Sequence, residues 1–116
     1  MNILASILVG LVAALHVWFL VLEMFLWTAP LGRKTFGLDA DFAERSKGLA
    51  ANQGLYNGFL VAGLVWGLVA DRQDVQLFFL ACVVIAGAYG AATINRRILL
   101  VQAVPAALAM AAVLAA

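Results

Sequence analysis

Long apolar stretches, separated by short polar ones, make up almost the whole chain. Each apolar stretch is close to or longer than the roughly 20 helical residues that cross the hydrocarbon core of a bilayer. The pattern therefore predicts an all-α integral membrane protein, a four-transmembrane-helix bundle that forms a single domain over residues 1–116. The predicted helices cover about residues 3–28, 42–70, 75–94 and 98–116.

The first polar stretch is predicted to contain a loop and the start of the second helix. Pro30 and Gly32 are expected to end the first helix, which leaves a loop over residues 31–40. The tetrapeptide at 41–44 has the form of a capping box, with Asp41 as the N-cap and Glu44 at position N3. The second helix should therefore begin near residue 42, in a charged turn beside the membrane.

Composition supports a membrane protein and argues against several other classes. Hydrophobic residues make up 66% of the chain and charged residues 11%, whereas a soluble domain carries roughly 25% charged residues. The net charge is +1 and no basic run is present, so nucleic acid is not an expected partner. Cys82 is the only cysteine, which excludes an intrachain disulfide and a cysteine-based metal motif. The lipid bilayer is the expected partner.

The distribution of Lys and Arg predicts the orientation of the helices. Cytoplasmic loops of membrane proteins carry an excess of these residues. The polar stretches before the second and fourth helices hold six of the seven, and the stretch before the third helix holds only Arg72. We therefore expect loops 29–48 and 95–97 to be cytoplasmic and both termini to lie outside.

A cluster of polar side chains opens the second apolar stretch. Unsatisfied hydrogen-bonding groups are costly in hydrocarbon, so we expect a partner for them. Projected at 100° per residue, they share one side of the helix, which predicts that small and polar residues face inward. Two Gly-x-x-x-Gly spacings, Gly54 to Gly58 and Gly63 to Gly67, predict close approach of neighbouring helices. The polar side chains are Asn52, Gln53, Tyr56 and Asn57.

Polar residues of the other helices are expected at a similar depth. A rise of 1.5 Å per residue places them roughly 5–12 Å to the cytoplasmic side of the midplane. We therefore predict a polar pocket in the cytoplasmic half, with His16 near the bilayer centre as its floor. The residues expected to bind a ligand there are Trp27, Asn52, Gln53, Tyr56, Asn57, Tyr89, Thr93 and Gln102.

Glu23 and His16 are the candidate catalytic residues. They lie one heptad apart, so they share a helix face about 10 Å apart along the axis. An intramembrane carboxylate costs several kcal/mol when charged and by default marks a functional site. His16 has a structural alternative, a hydrogen bond to Asn57, and the separation from Glu23 is too large for one metal ion. The expected partner of Glu23 is Asn52, Gln53, Tyr56 or Gln102, or else a proton.

The chain resembles the small integral membrane proteins of domain-of-unknown-function family 1304 over its full length. The resemblance implies a bacterial protein with four transmembrane helices, and hence a location in the cytoplasmic (inner) membrane. It supports the polar residues as a set and implies no activity, and the sequence identifies no cofactor. The residues that carry the resemblance are His16, Glu23-Met24-Phe25-x-Trp27, the run from Asn52 to Leu60, Gly90-x-x-Thr93 and Gln102-x-x-Pro105-Ala106.

The predicted pocket favours binding of a lipophilic small molecule with a polar head, such as a quinone, an isoprenoid or a lipid. If the protein is an enzyme, proton transfer in an isomerisation fits better than hydrolysis, because the sequence shows no activated Ser or Cys nucleophile. One alternative is a subunit of a proton-coupled transporter or channel for a small solute, working as a homo-oligomer. Another is an accessory structural subunit whose polar face docks to a larger membrane complex.

Overall fold

A computed structural model describes residues 2–116, and this part of the chain is all-helical, as predicted. It contains no strand, and short connections join the helices. A π-helical turn at Leu99–Ala103 leads directly into the last helix. The α-helices are α1 (Ile3–Met24), α2 (Pro30–Phe36), α3 (Ala40–Val69), α4 (Gln73–Thr93) and α5 (Val104–Ala115).

The first polar stretch contains a helix where the sequence predicted a loop. Pro30 is the first residue of α2, a position whose N–H a helix does not use, so the ring is tolerated there. Gly37 ends α2 in the left-handed conformation, with a φ of 67°. Gly32 lies so close to the Leu26 carbonyl that any side chain would overlap it. The prediction of a loop over residues 31–40 is therefore wrong, although α1 does end before Pro30.

The N-cap of α3 is Asp39 rather than the predicted Asp41. Asp39 Oδ1 accepts a hydrogen bond of 2.7 Å from the backbone N–H of Phe42. Asp41 instead pairs with Arg45 one turn later, and Glu44 pairs with Lys47. The predicted capping box is therefore wrong, because α3 begins two residues earlier than the sequence pattern indicated.

The described residues form two compact units. One spans Leu15–Val61 and contains the end of α1, all of α2 and the first part of α3. The other contains the chain up to Ala14 together with Ala62–Ala116.

Within the Leu15–Val61 unit, α1 and α3 pack at the first predicted glycine pair. A Cβ atom built on Gly54 would lie 2.5 Å from Met24 Cγ and 3.2 Å from Glu23 Cβ. One built on Gly58 would lie 3.1 Å from Leu20 Cδ1. These glycines therefore let the two backbones approach, as the spacing predicted.

Within the other unit, glycines again mark the close contacts. Gly63 lies against the Phe79 ring, and Gly67 lies against the backbone and side chain of Gln76. Gln76 is fully buried, and its Nε2 donates a 2.9 Å hydrogen bond to the Gly67 carbonyl at the end of α3. The second predicted glycine pair is thus also a contact between helices.

Pro105 accompanies the π-helical turn before α5. The ring has no N–H, so the carbonyl of Val101 lacks its usual helical donor. The N–H of Val104 bonds five residues back, to the carbonyl of Leu99. The widened turn places Ala103 against α4, where a Cβ built on Gly87 would lie 2.6 Å from the Ala103 backbone nitrogen.

Two helices of the described chain, α1 and α4, are long and apolar enough to cross a membrane. The segment Leu99–Ala115 is apolar but shorter. α3 is long enough, but its first turns are charged and the polar cluster follows them. A bundle of four spans remains a prediction.

Candidate functional site

A hydrogen bond between Glu23 and Asn57 forms the centre of the candidate site. Glu23 is the penultimate residue of α1, and Asn57 lies midway along α3. Asn57 Nδ2 donates to Glu23 Oε1 at 2.5 Å, across 34 positions of sequence. Asn57 is only 4% exposed, and Glu23 is half-buried. The bond forms because the neighbouring Gly54 and Gly58 bring α1 within reach.

The sequence predicted other partners for Glu23. Asn52, Gln53 and Tyr56 were expected to face inward with Asn57, but all three are exposed. The side chains of Asn52 and Gln53 make no hydrogen bond within residues 2–116. The inward orientation predicted for these three is therefore wrong. The buried side of this part of α3 instead follows Ala43, Ala50, Gly54 and Asn57.

Tyr56 contacts its own helix rather than α1. Its ring meets Phe59 edge to face, with 5.5 Å between the centroids. Gln53 lies one turn before Asn57 on a neighbouring part of the helix surface. An exposed amide thus lies one helical turn from Asn57.

Trp27 is held by two elements that follow it in the chain. Its Nε1 donates a 3.0 Å hydrogen bond to Ser46 Oγ on α3, and its ring packs 5.0 Å from that of Phe36 on α2. Ser46 in turn donates to the carbonyl of Phe42. Ser46 was not among the residues predicted from the sequence. The need of a half-buried indole N–H for an acceptor, together with a hydroxyl group among the charged residues of the next polar stretch, could have indicated it.

His16 is fully buried two turns before Glu23 on α1. Its ring meets Phe19 edge to face, with centroids 5.2 Å apart. The rise of the helix places His16 about 10 Å from Glu23 along the axis, as predicted. Asn57, the structural partner that the sequence suggested for His16, donates its Nδ2 to Glu23. The hydrogen bond between His16 and Asn57 remains a prediction.

Three other predicted ligand-binding residues belong to the unit that contains Ala62–Ala116. Tyr89 is 71% exposed near the end of α4. Thr93 Oγ1 donates a 2.7 Å hydrogen bond to the Tyr89 carbonyl, which confirms their placement one turn apart. Gln102 is half-buried within the π-helical turn. Their convergence with Glu23 remains a prediction.

The site offers acid–base chemistry and amide hydrogen bonds. Glu23 can accept or donate a proton, and Asn57 orients its carboxyl group. Within residues 2–116, no group of three or more His, Cys, Asp or Glu side chains is placed to hold a metal ion. A carboxyl group beside an amide has the donors and acceptors that a carbonyl or hydroxyl group needs as partners, and the carboxyl group can exchange a proton.

Comparisons with known proteins cover almost the whole chain. A family model described as "Protein of unknown function (DUF1304)" matches residues 10–114, a range that contains every candidate site residue. The chain is similar to the uncharacterized protein YpaA of Lactococcus lactis subsp. lactis (strain IL1403). The two are 31% identical over 114 residues, which is 95% of this chain and 96% of the relative. No solved structure matches the chain.

Proposed function

We propose that this chain, which belongs to the DUF1304 family, is an integral membrane protein that binds a lipophilic small molecule with a polar head. The observation that carries the proposal is the hydrogen bond from Asn57 Nδ2 to Glu23 Oε1. Placing a carboxyl group among apolar helices costs free energy, and in membrane proteins such a group by default marks a functional site. Recognition of a polar head is a function that a carboxyl–amide pair can serve.

The exposure of the apolar helices supports the membrane part of the proposal. Within the chain, only 28% of an apolar 18-residue stretch of α1 is buried, and only 33% of the corresponding stretch of α4. A core helix of a soluble protein is mostly buried, whereas a membrane helix presents apolar side chains to lipid. Large apolar residues such as Ile85, which is 69% exposed, need such an environment.

The proposed location is the bacterial cytoplasmic membrane, crossed by four helices. Both termini lie outside, and loops 29–48 and 95–97 are cytoplasmic. The charge distribution supports this orientation, since six of the seven Lys and Arg residues lie in those two loops. Glu23 then lies near the cytoplasmic end of the first span.

The proposed ligand carries a carbonyl or hydroxyl group on an apolar body, as a quinone, an isoprenoid or a lipid does. Glu23 meets the polar group, and the exposed amide of Gln53, one turn before Asn57 on α3, orients it. If a reaction follows, it is an isomerisation in which Glu23 removes a proton from one carbon and a proton returns to another. His16, about 10 Å away along α1, is the second group able to carry the proton.

Mass spectrometry of molecules that co-purify with the protein tests the proposal. The protein is extracted gently, and the wild type is compared with Glu23→Gln, which keeps the shape of the side chain but removes its ionisable proton. Glu44→Gln is the matched control, because Glu44 lies in the charged start of α3 and pairs with Lys47. We expect one lipophile in the wild type and in the control and its loss from Glu23→Gln. Absence of any lipophile from all three proteins would contradict the proposal.

A further inference from the structure

The positively charged side chains divide into paired and unpaired groups. Within residues 2–116, each paired cation contacts a carboxylate close to it in sequence. Arg33 and Lys34 on α2 have no such partner, and neither have Arg96 and Arg97 in the connection after α4. The paired cations are Arg45 with Asp41, Lys47 with Glu44, and Arg72 with Asp74.

Arg33 and Lys34 border one shallow depression on the Leu15–Val61 unit. Pro30, Gly37 and Leu38 complete its rim. The Nε of Arg33 is buried and has no acceptor among the described residues, so the protein leaves this donor unused. A guanidinium group beside an ammonium group matches the charge and the acceptor oxygens of one phosphate group.

The position of α2 in the chain places this depression next to the membrane. α2 begins six residues after Met24, the last residue of the candidate span α1. Leu31, which is 48% exposed, lies one turn before Lys34 on the same side of α2, and Phe36 is 40% exposed. Exposed apolar side chains interleaved with unpaired cations are typical of a segment that lies in a membrane interface.

We propose that α2 lies in the cytoplasmic interface and that Arg33 and Lys34 bind the phosphate of an anionic phospholipid head group. The inference rests on one part of the proposed function, that α1 crosses the membrane. It is independent of the ligand proposed at Glu23. The depression takes the head group, while Leu31 and Phe36 contact the adjoining acyl chains. An anionic lipid rather than a protein partner is favoured because the site is a shallow depression beside a span and is lined by two uncompensated positive charges.

Retention of lipids by the full-length protein tests this site. The protein is purified in mixed micelles that contain equal amounts of phosphatidylglycerol and phosphatidylcholine, and native mass spectrometry counts the lipids that remain bound. We expect the wild type to retain phosphatidylglycerol preferentially. The variant R33Q/K34Q should reduce that preference about tenfold or more, since each basic residue near a membrane surface contributes roughly a factor of five.

The variant R45Q/K47Q is the matched control, because it removes the same charge from cations that are paired with carboxylates. It should keep most of the preference, and added salt should weaken the wild-type preference by screening. Equal losses in the two double variants would overturn the proposal, as would no loss in either. If R33Q/K34Q does not fold, Lys34→Gln alone is used, because Lys34 is exposed. It should weaken the preference about fivefold, and an unchanged preference would overturn the proposal.

A further variant separates this site from the proposed ligand site. Glu23→Gln should leave the preference for phosphatidylglycerol unchanged, even where it removes the co-purifying lipophile. Loss of the preference in Glu23→Gln would contradict the independence of the two sites. Inorganic phosphate is tested in the same way. If the wild type binds it as well as it binds phosphatidylglycerol, and R33Q/K34Q loses both to the same extent, the ligand is a free anion and the assignment to a lipid is overturned.

Discussion

Asn57 lies beside the two glycines at which α3 packs against α1, and this neighbourhood gives it a role that its polar neighbours lack. Of the four polar side chains in the cluster, that of Asn57 is the one that is buried. Its amide donates to Glu23, and no competing donor from residues 52 or 53 reaches that carboxyl group. At the scale of single residues, the candidate site is therefore one carboxyl–amide pair.

Replacing Asn57 with Ala should destabilise the protein by about 1–3 kcal/mol. The substitution leaves the half-buried Glu23 carboxyl group without its donor, and the loss of one partner costs the desolvation of the other. Unfolding by denaturing detergent in mixed micelles, followed by circular dichroism, measures the change in the free energy of unfolding.

Asn52→Ala is the control, because the Asn52 side chain is exposed and makes no hydrogen bond within residues 2–116. It should change the free energy of unfolding by less than about 0.5 kcal/mol. Similar losses in the two variants would show that the helix responds to any loss of polarity, and would count against the pair.

The short connection between α2 and α3 decides where α3 begins. Gly37 ends α2 in the left-handed conformation, and only Leu38 and Asp39 follow it before α3 begins at Ala40. Asp39 therefore precedes the first helical residue and reaches the N–H of Phe42. Asp41, which fits a capping box in sequence, already lies inside the helix.

Asp39→Ala should lower the free energy of unfolding by about 1 kcal/mol, the usual cost of losing an N-cap. Asp41→Ala should cost less than about 0.5 kcal/mol, because its pairing with Arg45 is fully at the surface. Detergent unfolding of both variants compares them directly. A larger loss in Asp41→Ala would restore the capping box predicted from the sequence.

The last helix shows how a local rule and a packing contact combine. Pro105 made it predictable that the carbonyl of Val101 would lack its helical donor. The width of the turn was not predictable, because it depends on the contact between Ala103 and Gly87, which are far apart in sequence. The result is a π-helical turn that contains Gln102, one of the residues predicted from the sequence to bind a ligand.

At the scale of the whole molecule, the proposed orientation is testable by thiol labelling in intact cells. Cys82 is first replaced with Ala, so that an introduced cysteine is the only thiol. Lys34→Cys should resist a membrane-impermeant reagent added outside, and Asp74→Cys should react, because the two positions lie in polar stretches that are predicted on opposite sides of the membrane. Both positions are exposed, so burial within the protein does not account for a difference.

Reaction of Lys34→Cys in intact cells, with protection of Asp74→Cys, would reverse the orientation. Reaction of both to the same extent in intact cells would contradict a membrane between them. Labelling after the cells are opened is the control, since both cysteines should then react equally.

The order of apolar and polar stretches by itself determined that the described chain is helical, where most of its turns lie and which glycines mark close contacts. These properties depend on local periodicity, chain length and residue size, all of which are present in the sequence. Only the tertiary structure decided that Asn57 meets Glu23, that Ser46 accepts from Trp27, and that α2 leaves two cations unpaired. Each depends on how segments far apart in sequence pack, because a helix projection shows which residues share a face but not which face its neighbour covers.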